Sequence, residues 1–276
     1  MTAAVAGSVR EALAAATDAL RAARVESARL DAELLLAEAT GLDRAGLAAE
    51  PGRGVDAVAA RAFGAAVRRR VAREPIAYIL GRKGFRRIEL AVDRRVLIPR
   101  PETELLVEVA LELEPSTVLD VGTGSGAIAL AVADEVPEAA VLATDTSLDA
   151  LAVARANRDR LGVEVGLSHG TLPDDPGVEL LVANLPYVSE AEWRDLAPEI
   201  ARYEPREALV AGATGLEAID TLLGELAIAA RRPAAIALEV GERQAATVAE
   251  LVRRAGFEAV ETRRDLAGVE RVVVGR

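Results

Sequence analysis

The chain has 276 residues, 51% of them hydrophobic, and a formal charge of -11, enough for one ordinary α/β domain plus a smaller unit, each with a buried core. It contains no cysteine and one histidine, His169, which excludes disulfides, thiolate nucleophiles and zinc-thiolate centres and leaves no metal expected. The acidic balance suits nucleic acid poorly, and neither a signal-like start nor a charge-free apolar run of about twenty residues occurs, so a soluble cytoplasmic protein with no membrane and no direct nucleic-acid partner is expected.

The first elements read as helices. Val9, Leu13, Ala16 and Leu20 recur at helical spacing, and Leu30, Leu34, Leu35 and Leu36 mark a second helix that stops at Gly41. A third carries Val55, Val58, Ala59, Ala62, Phe63, Ala66, Val67 and Val71 and ends at Glu74-Pro75, because proline disfavours helical geometry in the residue before it. Residues 1–74 are therefore expected to form a helical domain.

The period then changes. Ile76 to Leu80 is a short apolar run, and Ile88, Leu90 and Val92 alternate with polar residues as a half-buried strand does, so residues 75–100 read as a β-hairpin linker. Between Arg68 and Arg100 eleven basic residues face three acids, a local net of +8. A solvated face accounts for it more simply than a docking surface for an acidic partner or RNA. Pro99-Arg100-Pro101 forces an extended entry, after which Glu102 to Leu113 resumes helical spacing with acids in the first turn.

From Val118 onward, apolar strand candidates at 118–121, 140–144, 178–183, 235–240 and 269–274 alternate with helical stretches, the pattern of a doubly wound α/β sheet over residues 101–276. The strand Val118 to Val121 runs into Gly122-Thr123-Gly124-Ser125-Gly126, and glycines let a backbone approach a ligand closely. Asp145 ends the next strand, where its carboxylate can accept hydrogen bonds from the two hydroxyls of a ribose, while Ser147 is placed to cap the following helix. Both features fit a nicotinamide nucleotide as well as a methyl donor.

The third constellation separates the two. Leu180 to Ala183 ends in Asn184-Leu185-Pro186-Tyr187, at the carboxyl edge of a predicted strand, where open α/β sheets bind ligands. A planar NH2 group has two N–H bonds. If the Asn184 side-chain oxygen and the Leu185 carbonyl accept them, the nitrogen lone pair is aimed at a methyl donor, and Tyr187 can stack on the planar group. Placed acceptors stabilise the positive charge that grows on nitrogen, and no strong base is needed because the methylated cation is very acidic. His169 accordingly has no catalytic role, and Trp193 is read as packing.

With these constellations in order, the sequence resembles the class I S-adenosylmethionine-dependent methyltransferases, and among them the glutamine methyltransferases that modify the Gly-Gly-Gln motif of peptide chain release factors. The resemblance extends through Pro75 to Gly81, Val96 to Glu104, Tyr203 to Leu209, Leu238 to Gln244 and Asp265 to Gly268. It implies a Rossmann-like seven-stranded domain at 101–276, a substrate-docking helical domain at 1–74, and methyl transfer from S-adenosylmethionine to a release factor glutamine. It further implies that Gly122, Thr123, Gly124, Ser125, Gly126, Asp145 and Asn184 hold the cofactor with Thr171 and Leu172, and that Asn184, Leu185, Pro186 and Tyr187 hold the glutamine, with Asn184, Pro186 and Tyr187 catalytic. Leu185 departs from the family's usual proline, and Asn-Leu-Pro-Tyr also resembles the adenine-N6 methyltransferases, so methylation of adenine in RNA or DNA is the alternative.

Overall fold

The computed structural model describes residues 5–276, and these divide into two compact units. The first runs through Gly81 and includes the distant segment Pro198–Tyr203. Its elements are β1 (Val5–Ser8), α1 (Val9–Ala22), α2 (Ala28–Thr40), α3 (Arg44–Ala49), β2 (Gly54–Asp56), α4 (Ala57–Val71) and α5 (Ile76–Leu80).

Side-chain caps set the starts of these helices. Ser8 and Glu11 form a reciprocal capping box on α1, and the Asp56 carboxylate accepts from the backbone N–H groups of Val58 and Ala59 at 2.8 and 2.9 Å, so the third expected helix begins two residues after Val55. Each such cap contributes about 1 kcal/mol. Gly41 closes α2 in the left-handed conformation. Leu13, Leu20, Leu35, Leu36, Leu47 and Phe63 make the core of this unit. Ile76–Leu80, read from sequence as part of the hairpin linker, instead forms α5, closed by Gly81 at φ +72°, and the hairpin starts only at Arg82.

The second unit holds β3 (Arg82–Phe85), β4 (Ile88–Ala91), a 3₁₀ turn at Pro101–Thr103, α6 (Glu104–Leu113), β5 (Thr117–Val121), α7 (Ala127–Glu135), β6 (Ala140–Asp145), α8 (Leu148–Leu161), β7 (Val165–His169), β8 (Leu180–Ala183) and β9 (Val188–Ser189). After the segment α9 (Pro198–Tyr203), which belongs to the first unit, come β10 (Val210–Gly212), α10 (Glu217–Ile228), β11 (Ala235–Glu239), α11 (Ala245–Arg254), β12 (Val260–Arg264) and β13 (Glu270–Gly275).

Seven strands make one sheet in the order β12-β13-β11-β8-β5-β6-β7, parallel from β11 through β7, with β13 antiparallel to both its neighbours. Every residue of β8 and β11 is buried, because helices cover both faces of the parallel centre. The chain leaves β5 toward β6 and β7 and later returns to the other side of β5 as β8. The switch point of the sheet therefore lies between β5 and β8, and their carboxyl ends open on the crevice where such sheets bind ligands.

The basic strip is largely consumed by ion pairs inside each unit. In the first, Arg70 meets Asp31 at 2.6 Å and Glu199 of α9 at 3.0 Å, Arg73 meets Glu199 at 2.6 Å, and Arg69 meets Glu74 at 2.8 Å. In the second, Arg86 reaches Glu135, Arg95 reaches Asp93 and Arg100 reaches the buried Glu204. Among the described residues, no helix is long and apolar enough to cross a membrane.

Candidate active site

The loop after β5 is bent by glycine. Gly122 has φ +75°, and a Cβ there would stand 3.1 Å from Leu185 Cδ2; Gly126 has φ +85°, and a Cβ there would stand 2.7 Å from Leu130 Cδ1. Either substitution would strain a left-handed backbone and push aside the Leu185 or the Leu130 side chain. Beside Gly124 a Cβ would meet nothing within 4 Å, because that position faces open space.

Several bonds hold this loop. The N–H groups of Gly122 and Thr123 donate to the Thr144 carbonyl at 2.9 Å each. Asp120, fully buried, accepts from the Thr123 hydroxyl at 2.6 Å and from Ala129 N–H at 3.2 Å; burial pushes its carboxyl up to about 7 against those two bonds, with Asp145 adding to the rise. Asn157, also fully buried, donates to the Ser125 and Ala91 carbonyls at 2.9 and 3.0 Å and accepts from Ala91 N–H at 2.7 Å, tying α8 and β4 to the glycine loop.

Asp145 closes the other wall. Its Oδ2 accepts from Gly124 N–H and its Oδ1 from Ser147 N–H, both at 2.8 Å, while Ser147 itself caps α8 by accepting from Ala150 N–H. An ionised carboxylate offers about four acceptor positions, so Asp145 retains capacity for two more hydrogen bonds toward the cavity.

A cavity of about 400 Å³ gathers these residues: Gly122, Gly124, Asp145, Thr171, Asn184, Leu185 and Pro186 all line it. Thr123, Ser125, Gly126, Leu172 and Tyr187 do not. Thr123 turns inward to Asp120, Ser125 is buried, Gly126 packs on Leu130, and Leu172 packs against the central core. Val96, Leu97, Pro205, Ala208 and Leu222 are among the apolar residues that line it as well. The size suits a small-molecule ligand, and a largely apolar wall with a glycine backbone and the Asp145 carboxylate beside it suits a nucleoside; Glu207 and Glu217 also line the cavity.

At the carboxyl end of β8, Asn184 Nδ2 donates to the Thr103 hydroxyl at 3.0 Å. The Tyr187 hydroxyl donates to Glu239 Oε1 at 3.4 Å, and the Tyr187 carbonyl accepts from Gln244 Nε2 at 2.9 Å. Burial, with Glu239 beside it, raises the Tyr187 phenol well above its ordinary value, so it stays protonated. Glu239, 1% exposed at the end of β11, is pushed by burial up to about 7, opposed by the Thr103 and Tyr187 hydroxyls and by Arg271, with Glu102 adding to the rise. Thr103 and Glu239 sit inside the segments Val96 to Glu104 and Leu238 to Gln244; sequence alone gave neither residue a role, nor Asn157. His169 is exposed and holds only the Thr146 carbonyl at 3.0 Å, and Trp193 packs under the Arg206 guanidinium at 5.7 Å.

Two family models match the chain: PrmC N-terminal domain over residues 11–81 and methyltransferase small domain over 101–209. A release factor glutamine methyltransferase of Geobacter sulfurreducens is 39% identical, covering 91% of this chain and 90% of its own. One of Pseudomonas aeruginosa is 44% identical, covering 91% and 93%. The fold matches the hMettl16 catalytic domain, solved in complex with the MAT2A 3'UTR hairpin 6, with a TM-score of 0.56 at 15% identity over 67% of this chain and 75% of that one.

Proposed function

Since the chain belongs to the release factor glutamine methyltransferases, a family whose members are matched along nine-tenths of their length, we propose that it methylates the side-chain amide nitrogen of the glutamine in the Gly-Gly-Gln motif of peptide chain release factors. The methyl donor is S-adenosylmethionine, which supplies an electrophilic methyl group on a sulfonium. The supporting observation is the placement of Asn184, Leu185 and Pro186 on the same cavity wall as Gly122, Gly124 and Asp145, at the switch point of the sheet.

In this reading Asp145 takes the ribose hydroxyls, and the glycine loop lets the donor lie close to the backbone. Thr171 lines the adenine side of the cavity; Leu172 acts from behind, through packing. The Asn184 oxygen and the Leu185 carbonyl accept the two N–H bonds of the glutamine amide, and their partial negative charges stabilise the cation that forms on nitrogen. Pro186 limits the backbone freedom of that carbonyl, and the Tyr187 ring lies along the amide plane, its hydroxyl anchored on Glu239. No group of the site needs to remove a proton before transfer. Leu185 in place of proline keeps the acceptor carbonyl, and its side chain packs over Gly122.

The helical unit through Gly81 supplies docking for the release factor, in line with its match to the PrmC N-terminal domain. The whole reaction is assigned to the cytoplasm, without a metal and without direct binding of nucleic acid. Adenine methylation is the second reading; the basic strip that supported it is mostly occupied by Asp31, Glu74, Glu135, Glu199 and Glu204. Incubating the protein with methyl-labelled donor, intact release factor, a Gly-Gly-Gln peptide and ribosomal RNA, then locating the label, tests both. Label on the glutamine, with kcat/KM at least tenfold higher for the intact factor than for the peptide, is expected. Label on adenine and none on glutamine would overturn the assignment.

A further inference from the structure

The last residue of the bend after β8 is braced from two other loops. The Tyr187 carbonyl accepts from Gln244 Nε2 at 2.9 Å, and the same nitrogen donates to the Gly215 carbonyl at 3.3 Å. At the other end of that side chain, Gln244 Oε1 accepts from the Gly241 N–H at 2.9 Å. These partners settle which way round the Gln244 amide lies. A backbone N–H can only donate and a carbonyl can only accept, so the oxygen must face Gly241 and the nitrogen must face Tyr187 and Gly215.

The approach of both loops is close enough to need glycine. Gly215, before α10, has φ +83°, and a Cβ there would stand 2.5 Å from the Tyr187 carbonyl oxygen and 2.9 Å from Gln244 Nε2. At Gly241, after β11, a Cβ would stand 2.9 Å from Gln244 Oε1 and 3.2 Å from Tyr187 Cδ2, so the ring lies against bare backbone. The Gly215 loop is itself held by Glu217, whose carboxylate accepts from the N–H groups of Thr214, Gly215 and Leu216 at 2.7, 2.9 and 3.0 Å. Tyr187 is thus wedged between two loops that meet on one glutamine.

We propose that Gln244 is a positioning residue for methyl transfer: by clamping the Tyr187 carbonyl to the loops at Gly215 and Gly241, it sets where the Tyr187 ring stands beside the substrate amide. This rests on the amide-methylation reading above. The start of the bend is held independently, by Asn184 Nδ2 on the Thr103 hydroxyl, and Pro186 fixes one φ angle between the two ends. Loss of the Gln244 amide leaves the tip of the ring on Glu239, at 3.4 Å, and loosens its backbone end. Neither Gln244 nor Tyr187 lines the donor cavity, so a misaimed ring costs rate and spares donor binding.

The test measures methylation of intact release factor at saturating donor. Gln244→Met keeps the length of the side chain and removes its amide; kcat is expected to fall at least tenfold while donor affinity by calorimetry and KM for the factor stay within threefold. In a Tyr187→Ala background the same substitution is expected to cost less than threefold, because its action runs through the ring. Should Gln244→Met not fold, as read by circular dichroism, Gly241→Ala, whose Cβ would crowd both Gln244 and the Tyr187 ring, is expected to show the same loss of kcat, the same retained donor affinity and the same dependence on Tyr187. Wild-type kcat in the folded variant, a donor affinity or KM changed by more than threefold, or a loss of equal size with and without the Tyr187 ring overturns the positioning role and leaves the functional reading standing. A wild-type protein that labels no glutamine ends the functional reading and this inference together.

Discussion

The Asp145 carboxylate holds the Gly124 N–H at 2.8 Å, so the acid at the end of β6 is also the strut of the glycine loop that follows β5. One residue thus shapes the donor cavity from both sides. Asp145→Ala removes the proposed ribose acceptor and the strut together. Donor affinity is expected to fall by about 2–3 kcal/mol, the range for hydrogen bonds to a charged group. Titration calorimetry measures it, and an unchanged Kd rules out the ribose assignment.

Asn184→Ala separates binding from chemistry. In the proposed mechanism its oxygen acts on charge that appears only during transfer, so methylation should slow by roughly 3 kcal/mol, about a hundredfold, with donor binding largely kept. Single-turnover rates at saturating donor give the number. Undiminished turnover would remove the proposed mechanism.

Within the first unit, Arg70 is the centre of a buried network, its side chain 8% exposed and that of Asp31 3% exposed. Arg70→Met leaves Asp31 with the Ser27 hydroxyl at 2.8 Å and without the guanidinium. The expected loss is about 3–5 kcal/mol of stability, the cost of breaking a buried ion pair from one side. The double variant Asp31→Leu with Arg70→Met should regain a large part. Urea unfolding of the full chain reads both, and a single-variant loss under about 1 kcal/mol would show that Asp31 is satisfied without Arg70.

Stability should also depend on pH through Asp120 and Glu239. Burial raises them from ordinary values of 3.8 and 4.5 to about 7 in each case. Between those limits the folded protein holds protons that the unfolded chain has released. Their contribution is therefore fully present below about 4 and is lost as pH rises through about 7, on the order of 3 kcal/mol per group. Glu239→Gln should flatten its part of that decline; denaturant midpoints between pH 5 and 8 that do not move relative to wild type would contradict the raised value.

Much of the architecture was written locally. β5, β8 and β11 are covered on both faces, so their apolar runs stand out, and the turns that follow carry Gly122 to Gly126 and Asn184 to Tyr187 in plain view. Ser147 as the cap of α8 followed from its hydroxyl and position, and the structure has it accepting from Ala150 N–H at 3.2 Å. Two strands of the seven-stranded sheet were not picked out. β7 (Val-Gly-Leu-Ser-His) and β12 (Val-Glu-Thr-Arg-Arg) lie at the sheet edges, half exposed, and their short polar sequences give no strong period. Ile76–Leu80 misled for a related reason: five apolar residues fit a strand or a helical turn equally well, and Gly81 at φ +72° with contacts to the first unit's core decides for the turn.

What the amino-acid order determined by itself was a parallel α/β sheet, its glycine loop, its terminal acid and the bend from Asn184 to Tyr187, because each of those is a run of neighbouring residues whose period or chemistry is local. What only the tertiary structure decided was what holds that bend. Asn184 at the end of β8 donates to Thr103 in the turn before α6, and the Tyr187 hydroxyl reaches Glu239 at the end of β11, because β11 pairs with β8. These partners are brought in by strand order, which no periodicity along the chain records.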